Sequence, residues 1–379
     1  MAPIRLAIVG LSSSAITSWA SGAHLPYLQS ARGRAKYQIV ALLNSSVDAA
    51  RQAVAAYNLP AETRTYGDPQ SLADDPDVDL IVNCTRVDNH FATILPSVRA
   101  GRSVFVEWPL AQDGARVAQL VEEARRSGSR TVVGLQGRLV PVYGKIREVL
   151  EQGRIGKVLS SEVLAAGGTN DRERLPEGLK YFADRSVGGN PVTIGFGHLF
   201  DQIQHLLGDF ENLHGHLHLQ RPNVTVFDPS TKATIDTIAS NVPDLIIVTA
   251  TLAPSPMVQP GASVLVRYRR GQTFPGQPPL TISINGEKGE LRLTARSGAG
   301  IHANSYDAPV TIEVHDHATD KVEEVQWAWA DWQEELPVIA RNVGMVYEAY
   351  AEGKDVATFE NAQVRHNQLN GMLSAWAKE

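Results

Sequence analysis

The sequence has a single cysteine, Cys84, in 379 residues. That excludes an intrachain disulfide and fits a reducing compartment. It lacks any apolar run of the ~18 residues needed to span a bilayer. It lacks a basic excess as well: 35 Lys and Arg stand against 41 Asp and Glu, a net charge of −6. A nucleic-acid surface normally shows a basic face, so direct nucleic-acid binding is not expected. There is no internal repeat and no low-complexity tract. The first strand begins almost at Met1, leaving no room ahead of it for a signal peptide or transit segment. A cytoplasmic protein is expected, with the nucleus an alternative if its role is regulatory. What the chain does have is apolar residues, 43% of the total. Its length suggests two or more domains.

One stretch organises the rest. Ile4 to Val9 is a short apolar run, β-branched at both ends, followed by Gly10-Leu11-Ser12-Ser13-Ser14-Ala15. This pattern predicts a buried parallel strand feeding a tight turn that opens a helix. Such a turn directs backbone N–H groups outward beside the positive end of a helix dipole, which suits a diphosphate. A dinucleotide fingerprint wants small residues at its first, third and sixth positions. Here these are Gly10, Ser12 and Ala15, only one of them glycine. An ordinary Gly-Ser turn has the same appearance.

Further apolar strands follow at 37–43, 80–84, 104–106 and 131–133, with helical patterns at 47–57, 91–100 and 115–127 between them. Alternation of strand and helix predicts a doubly wound parallel sheet over residues 1–136. The second strand ends at Asn44-Ser45-Ser46, where an acid would bond the ribose 2′-hydroxyl of NAD. With no carboxylate there and hydroxyls beside it, NADP is slightly favoured over NAD; the same residues also suit a plain turn. From 137 to 379 the pattern changes to strands at 158–165, 213–219, 245–252, 263–269, 280–284, 290–294 and 310–314. A helical run covers 192–207, and helices at 332–352 and 360–378 close the chain. This predicts an α+β substrate and dimerisation domain on a mostly antiparallel open sheet. Apolar positions within 245–252 and 264–266 suggest that a partner covers its outer face.

Several motifs together resemble the glucose–fructose oxidoreductase / inositol dehydrogenase / MocA family. They are the first turn, the strand end Cys84-Thr85-Arg86, the run Val106-Glu107-Trp108-Pro109-Leu110 and Gly197-His198-x-x-Asp201. Trp19-Ala20, His24-Leu25-Pro26, Leu135-Gln136-Gly137-Arg138 and Lys180-Tyr181 resemble the branch of the fungal galactose-regulon repressor. The resemblance implies a Rossmann domain, nicotinamide at a domain cleft and a C-terminal sheet that commonly makes a dimer contact. It implies cofactor contacts from Gly10 to Ala15, from Asn44 and Ser45, and from Thr85, Arg86, His90, Glu107 and Trp108.

Two departures bear on chemistry. Family dehydrogenases carry a lysine where this chain has Trp108, and an aspartate where it has Ile194. An indole offers only an N–H donor and cannot take a hydroxyl proton. Of the usual set, His198 remains, on an apolar helix with Asp201 one turn later; it is either the acid/base of the site or a structural histidine. Lys180, beside Tyr181, is a possible replacement for the lysine or simply a solvated side chain. Arg138, Asn170, Asp171 and Asp201 are candidate substrate contacts, although a structural ion pair suits Arg138 equally. His214, His216 and His218 share one strand face, but no acid or cysteine accompanies them, so no metal is expected.

The functional expectation is an NAD(P)-dependent oxidoreductase acting on a sugar-like or other hydroxylated small molecule, in a homodimer or higher oligomer. The alternatives are a non-catalytic NAD(P)-sensing regulator with a protein partner, and a cofactor-dependent lyase or epimerase without net redox change.

Overall fold

The computed structural model describes residues 2–13, 18–167 and 171–377. By contact the chain divides into two units. The first comprises Met1–Gln136, Ser186–Gly189 and Ala330–Gln368; the second comprises Gly137–Arg185, Asn190–Trp329 and Leu369–Glu379.

The first unit holds a six-stranded, all-parallel sheet. Its strands are β1 (Ile4–Val9), β2 (Tyr37–Leu43), β3 (Arg64–Tyr66), β4 (Leu80–Asn83), β5 (Ser103–Val106) and β6 (Thr131–Val133). Their spatial order is β3-β2-β1-β4-β5-β6. Connection reverses direction at β1, which makes the crevice past its end a topological switch point, the usual ligand position in such sheets. Helices α1 (Leu25–Gln29), α2 (Ala31–Lys36), α3 (Val47–Ala56), α4 (Pro69–Ala73), α5 (Val87–Arg99) and α6 (Gly114–Ser127) link the strands. Central strands read as continuous apolar runs because both faces are buried: all four residues of β4 are buried. Local chemistry starts the helices. Ser46, Asp68 and Asp113 each accept a backbone N–H at the helix start. Gly128 closes α6 in the left-handed region at φ +73°.

The second unit begins with α7 (Pro141–Glu151) and β7 (Val158–Gly167). Three short strands form their own sheet: β8 (Arg174–Pro176), β10 (Asn223–Phe227) and β11 (Thr234–Ala239), which sequence periodicity did not reveal. Between β8 and β10 come α8 (Gly197–Leu207) and β9 (Phe210–His218). The main sheet adds β12 (Leu245–Leu252), β13 (Val258–Arg270), β14 (Leu280–Gly286), β15 (Gly289–Ala295), β16 (Val310–Asp316) and β17 (Lys321–Glu324). Its eight strands run β17-β16-β15-β14-β7-β13-β12-β9, antiparallel except for β7 against β13.

Burial alternates along these strands, so one face packs and the other is open. The alternation corrects part of the expected partner surface. Ile246, Val248, Val264 and Val266 are core residues, at most 2% exposed. The outer face carries Leu245, Ile247 and Leu265, with His214, His216, Arg267 and Arg269 beside them in register.

The closing helices are α9 (Asp331–Glu334), α10 (Val338–Ala351) and α11 (Phe359–Trp376). The single helix expected over 332–352 is broken because Pro337 turns its own backbone extended before α10. Residues 330–368 group with the first unit, although a cut at 136 assigns them to the second. Aromatic packing explains this. The Tyr347 ring stacks on Tyr27 at 5.4 Å and 5°, and Tyr37 donates a hydrogen bond to the Tyr347 carbonyl at 2.6 Å. Glu348 accepts from Tyr27, Arg32 and Lys36. Such long-range partners leave no mark in local periodicity.

Buried polar groups in this unit form a chain. His24 Nδ1 lies 2.8 Å from the Tyr347 hydroxyl, and His24 Nε2 lies 2.9 Å from Glu107 Oε1. Burial drives the Tyr347 phenol pKa far above its ordinary range, so it keeps its proton and donates to Nδ1. The Nε2–H then donates to the carboxylate. Removing the histidine leaves the buried Glu107 side chain and the Tyr347 hydroxyl without their partner. His24→Ala should therefore lower unfolding free energy by about 3 kcal/mol. Urea titration giving a loss under about 1 kcal/mol contradicts this reading.

Candidate functional site

The turn after β1 is defined by Gly10. Its φ is +91°, and a Cβ there would sit 2.8 Å from Thr85 Cγ2 and 3.2 Å from the Thr85 nitrogen. Both conditions require glycine. Gly10 N–H bonds the Leu43 carbonyl, and Cys84 N–H bonds that of Val9, each at 2.9 Å, so the turn is locked between two strand ends. Leu11 is fully buried, and its carbonyl accepts from Asn44 Nδ2 at 2.8 Å. The Ser12 carbonyl accepts from the Tyr57 hydroxyl at 2.9 Å. Across a trans peptide the next N–H points opposite to the carbonyl. Holding these two carbonyls thus turns the Ser12 and Ser13 amides the other way. Ser14 and Ala15 lie outside the described residues.

A pocket of about 410 Å³ adjoins the turn, lined by Gly10, Ser12, Asn44, Ser45, Thr85 and Asn89 among others. Asn44 serves the turn with its amide, while its Oδ1 is buried without a partner among the described residues. Ser46 is committed to capping α3, leaving Ser45 as the exposed hydroxyl at the end of β2. Thr85 is held by Asn83 Oδ1 through both its N–H and its hydroxyl. His90 lies behind it, buried between the carbonyls of Thr85 and Pro109. Arg86 pairs in two places with Asp88 and holds that carboxyl below its usual range. Burial pushes the Cys84 thiol up, with Glu107 adding to it, so no thiolate forms there.

Glu107 and Trp108, expected as cofactor contacts, each meet a buried histidine. The Glu107 carboxylate is engaged by His24. Trp108 is 5% exposed, with its ring 4.6 Å from that of His366. His366 Nε2 accepts from the Leu110 N–H at 3.2 Å, and burial pushes its pKa down to about 3.

In the second unit Asn190 opens the run to His198 with a capping box. Its side chain accepts from the Val192 and Thr193 N–H groups, and Thr193 Oγ1 accepts from the Asn190 N–H. His198 then lies on α8, 5% exposed, its ring stacked on His302 at 3.8 Å and 12°. Burial pushes the His198 pKa down to about 3, so the imidazole is neutral near pH 7. Its Nδ1 is buried without a partner among the described residues, as are both amide atoms of Gln202, one turn further along α8. Gly137 leaves the space that Gln202 fills.

Arg138 and Asp201, two expected substrate contacts, bind each other: Nε–Oδ2 is 2.9 Å and Nη2–Oδ1 is 2.6 Å. Asp171 organises its own loop, accepting from the Glu173 and Arg174 amides and from Gln272. Lys180 is exposed on a short 3₁₀ helix, and Tyr181 packs edge-on against Phe182. Ile194 packs against the apolar cluster of Leu175, Phe182, Ala183 and Val224. Asn170 lies outside the described residues. Sequence reasoning missed His302 and Gln202. The four-residue spacing of Gln202 from His198 was the available signal; His302 comes from a distant loop and had none. His216 and His218 touch through Nε2 at 2.7 Å, and no cluster of metal-ligand type occurs among the described residues.

Residues 4–135 match the oxidoreductase family with an NAD-binding Rossmann fold, GFO/IDH/MocA, and residues 141–295 match the C-terminal domain of Gal80p. The dehydrogenase aclE of Aspergillus oryzae is 30% identical over 380 residues, covering 98% of this chain and 95% of that protein. The chain belongs to the GFO/IDH/MocA family. The Kluyveromyces lactis galactose/lactose metabolism regulatory protein GAL80 is 27% identical over 308 residues, 78% of this chain and 65% of that one. A super-repressor mutant of Gal80p from Saccharomyces cerevisiae shares the fold at TM-score 0.86 and 21% identity, covering 99% and 96% of the two chains. Levoglucosan dehydrogenase, solved with NADH and L-sorbose, shares it at 0.75 and 17%, covering 100% and 98%. This GFO/IDH/MocA chain thus has relatives named as dehydrogenases and relatives named as regulators.

The two buried histidines have a consequence for stability. Folded His198 and His366 titrate near pH 3, whereas unfolded imidazole titrates near pH ~6.5. Between those values the unfolded chain binds more protons, so stability falls as pH falls. Each histidine contributes a slope of up to about 1.4 kcal/mol per pH unit. Urea midpoints measured from pH 7 to 5 should fall more steeply for the wild type than for His366→Gln or His198→Asn. Parallel curves for all three contradict the burial of these rings.

Proposed function

We propose that this chain is an NAD(P)-dependent oxidoreductase acting on a sugar-like or other hydroxylated small molecule. The observation that carries the reading is the cradle at Gly10, where a side chain would collide with Thr85 beside a pocket at the sheet's switch point. Gly10 to Ser13, Thr85 and Ser45 would hold the dinucleotide. A bound nicotinamide supplies hydride acceptance or donation. The chain's own part is to orient the substrate and manage its hydroxyl proton. The unpartnered His198 Nδ1 and Gln202 amide suit hydrogen bonds to hydroxyl groups. A neutral imidazole with a pKa near 3 is a weak base, so His198 acts by hydrogen bonding more than by storing a proton. NADP or NAD serves as cofactor, with NADP slightly favoured because Ser45 offers a hydroxyl where NAD-specific turns carry an acid.

A second reading has its own support. Trp108 is lodged against His366 and Ile194 is packed in an apolar cluster, so neither position handles a proton. This favours a dinucleotide-sensing regulator with a protein partner. A lyase or epimerase without net redox change makes the same demands on the pocket. One screen separates the oxidoreductase from the other two: purified protein with NAD or NADP against polyols, aldoses and hydroxy acids, followed at the reduced-nicotinamide absorbance. The expected outcome is turnover, faster with NADP, that falls about 10²-fold in His198→Ala at unchanged dinucleotide affinity. Tight dinucleotide binding without a reduced-nicotinamide signal across the panel overturns the oxidoreductase reading.

The open face of the eight-stranded sheet is also proposed as a contact between copies, in a cytoplasmic homodimer or larger oligomer. Leu245, Ile247 and Leu265 supply its apolar centre. Light scattering should give at least twice the 41.1 kDa of one chain at micromolar concentration. Ile247→Glu should return it to that mass; a wild-type monomer refutes the contact.

A further inference from the structure

The first unit has a second cavity, of about 630 Å³, at the amino-terminal edge of its sheet. Ligands of open parallel sheets bind beyond the carboxyl ends of the strands. This cavity lies at the other end, against Pro3 and the first residues of β2, and is separate from the pocket at Gly10. Its size is within the range of small-molecule sites. The floor is apolar: Leu28 and Tyr37 are buried, and Ile39 and Leu59 are half-buried. The rim carries one cation, Arg34. Three cations lie on α2. Arg32 and Lys36 both reach Glu348, at 2.8 and 2.6 Å, but Arg34 has no ion pair among the described residues. An apolar floor beneath one unpaired guanidinium matches an amphipathic anion, and guanidinium geometry matches a carboxylate.

Tyr57 connects this cavity to the turn. Tyr57 lines the cavity, its carbonyl accepts from Gln29 Nε2 at 3.1 Å, and its hydroxyl donates to the Ser12 carbonyl at 2.9 Å. A ligand packed against Tyr57 would restrict the side chain to the position that holds Ser12. Ordering paid for by one ligand need not be paid again by the next, so the two bind cooperatively.

We propose that the cavity binds a small amphipathic carboxylate, its chain on Leu28, Ile39 and Leu59 and its carboxylate on Arg34, and that occupancy tightens dinucleotide binding through Tyr57. The binding half stands apart from the oxidoreductase reading; only the coupling half rests on it.

Octanoate is the probe, with 1-octanol as the uncharged control, in calorimetric titrations of the full chain. Octanoate should bind about tenfold tighter than octanol, and Arg34→Gln should erase that difference. Saturating NADH should tighten octanoate about fivefold, and octanoate should tighten NADH by the same factor, because coupling is reciprocal. Tyr57→Phe keeps the cavity wall and should abolish the coupling while octanoate affinity without NADH stays unchanged. Equal affinity for octanoate and octanol, or no effect of Arg34→Gln, overturns the site. Displacement of octanoate by NADH overturns it too, by putting the probe in the other pocket. Coupling that survives in Tyr57→Phe overturns the route. Absence of any NADH binding without octanoate marks failure of the dinucleotide reading, and the octanoate and Arg34→Gln results still decide the site.

Discussion

The approach of Gly10 to Thr85 is the constraint on which the first unit's chemistry depends. The ends of β1, β2 and β4 meet there, and the backbone passes where no Cβ fits. The turn is then held from behind by two side chains, Asn44 on the Leu11 carbonyl and Tyr57 on the Ser12 carbonyl. Hydrogen bonding to carbonyls determines which way the following amides face, and so a loop with a single glycine still acquires a defined shape. Ser12, two residues past Gly10, thus stands in a turn shaped by tertiary contacts as much as by its own backbone freedom.

The second unit shows what burial does to a titratable group. His198 lies buried on α8, and His302 covers its ring. Desolvation disfavours the imidazolium, and no adjacent carboxylate compensates, since Asp201 belongs to Arg138. The Arg138–Asp201 pair was legible as two charged residues and not as one bond. Ion pairing consumes the groups that a sequence offers as ligands, and only coordinates reveal which partners have met.

Much of the fold was legible. The alternation from β1 to β6 is a repeated switch between strand and helix periodicity, and local signals of that kind survive in one dimension. Short strands did not: β3, β8, β10 and β11 have few residues or are exposed, so their side chains carry little pattern. The grouping of residues 330–368 with the first unit was equally hidden. It depends on Tyr347 meeting Tyr27, Tyr37 and His24 across more than three hundred residues of chain. The outer face of the large sheet was misread for a related reason. Within 245–252 and 264–266 apolar residues fall on both faces, and which face is core depends on what packs beneath it.

The sequence by itself determined the parallel Rossmann sheet, the mostly antiparallel second sheet and the glycine of the first turn. Each is written in local periodicity or in residue identity, and neither needs a partner to be read. Tertiary structure alone decided that Trp108 lies against His366, that Glu107 is spent on His24, that His198 stacks on His302, and that Arg34, without an ion pair among the described residues, borders a second cavity. Contact, desolvation and pairing are properties of two or more residues at once, brought together by folding from distant parts of the chain.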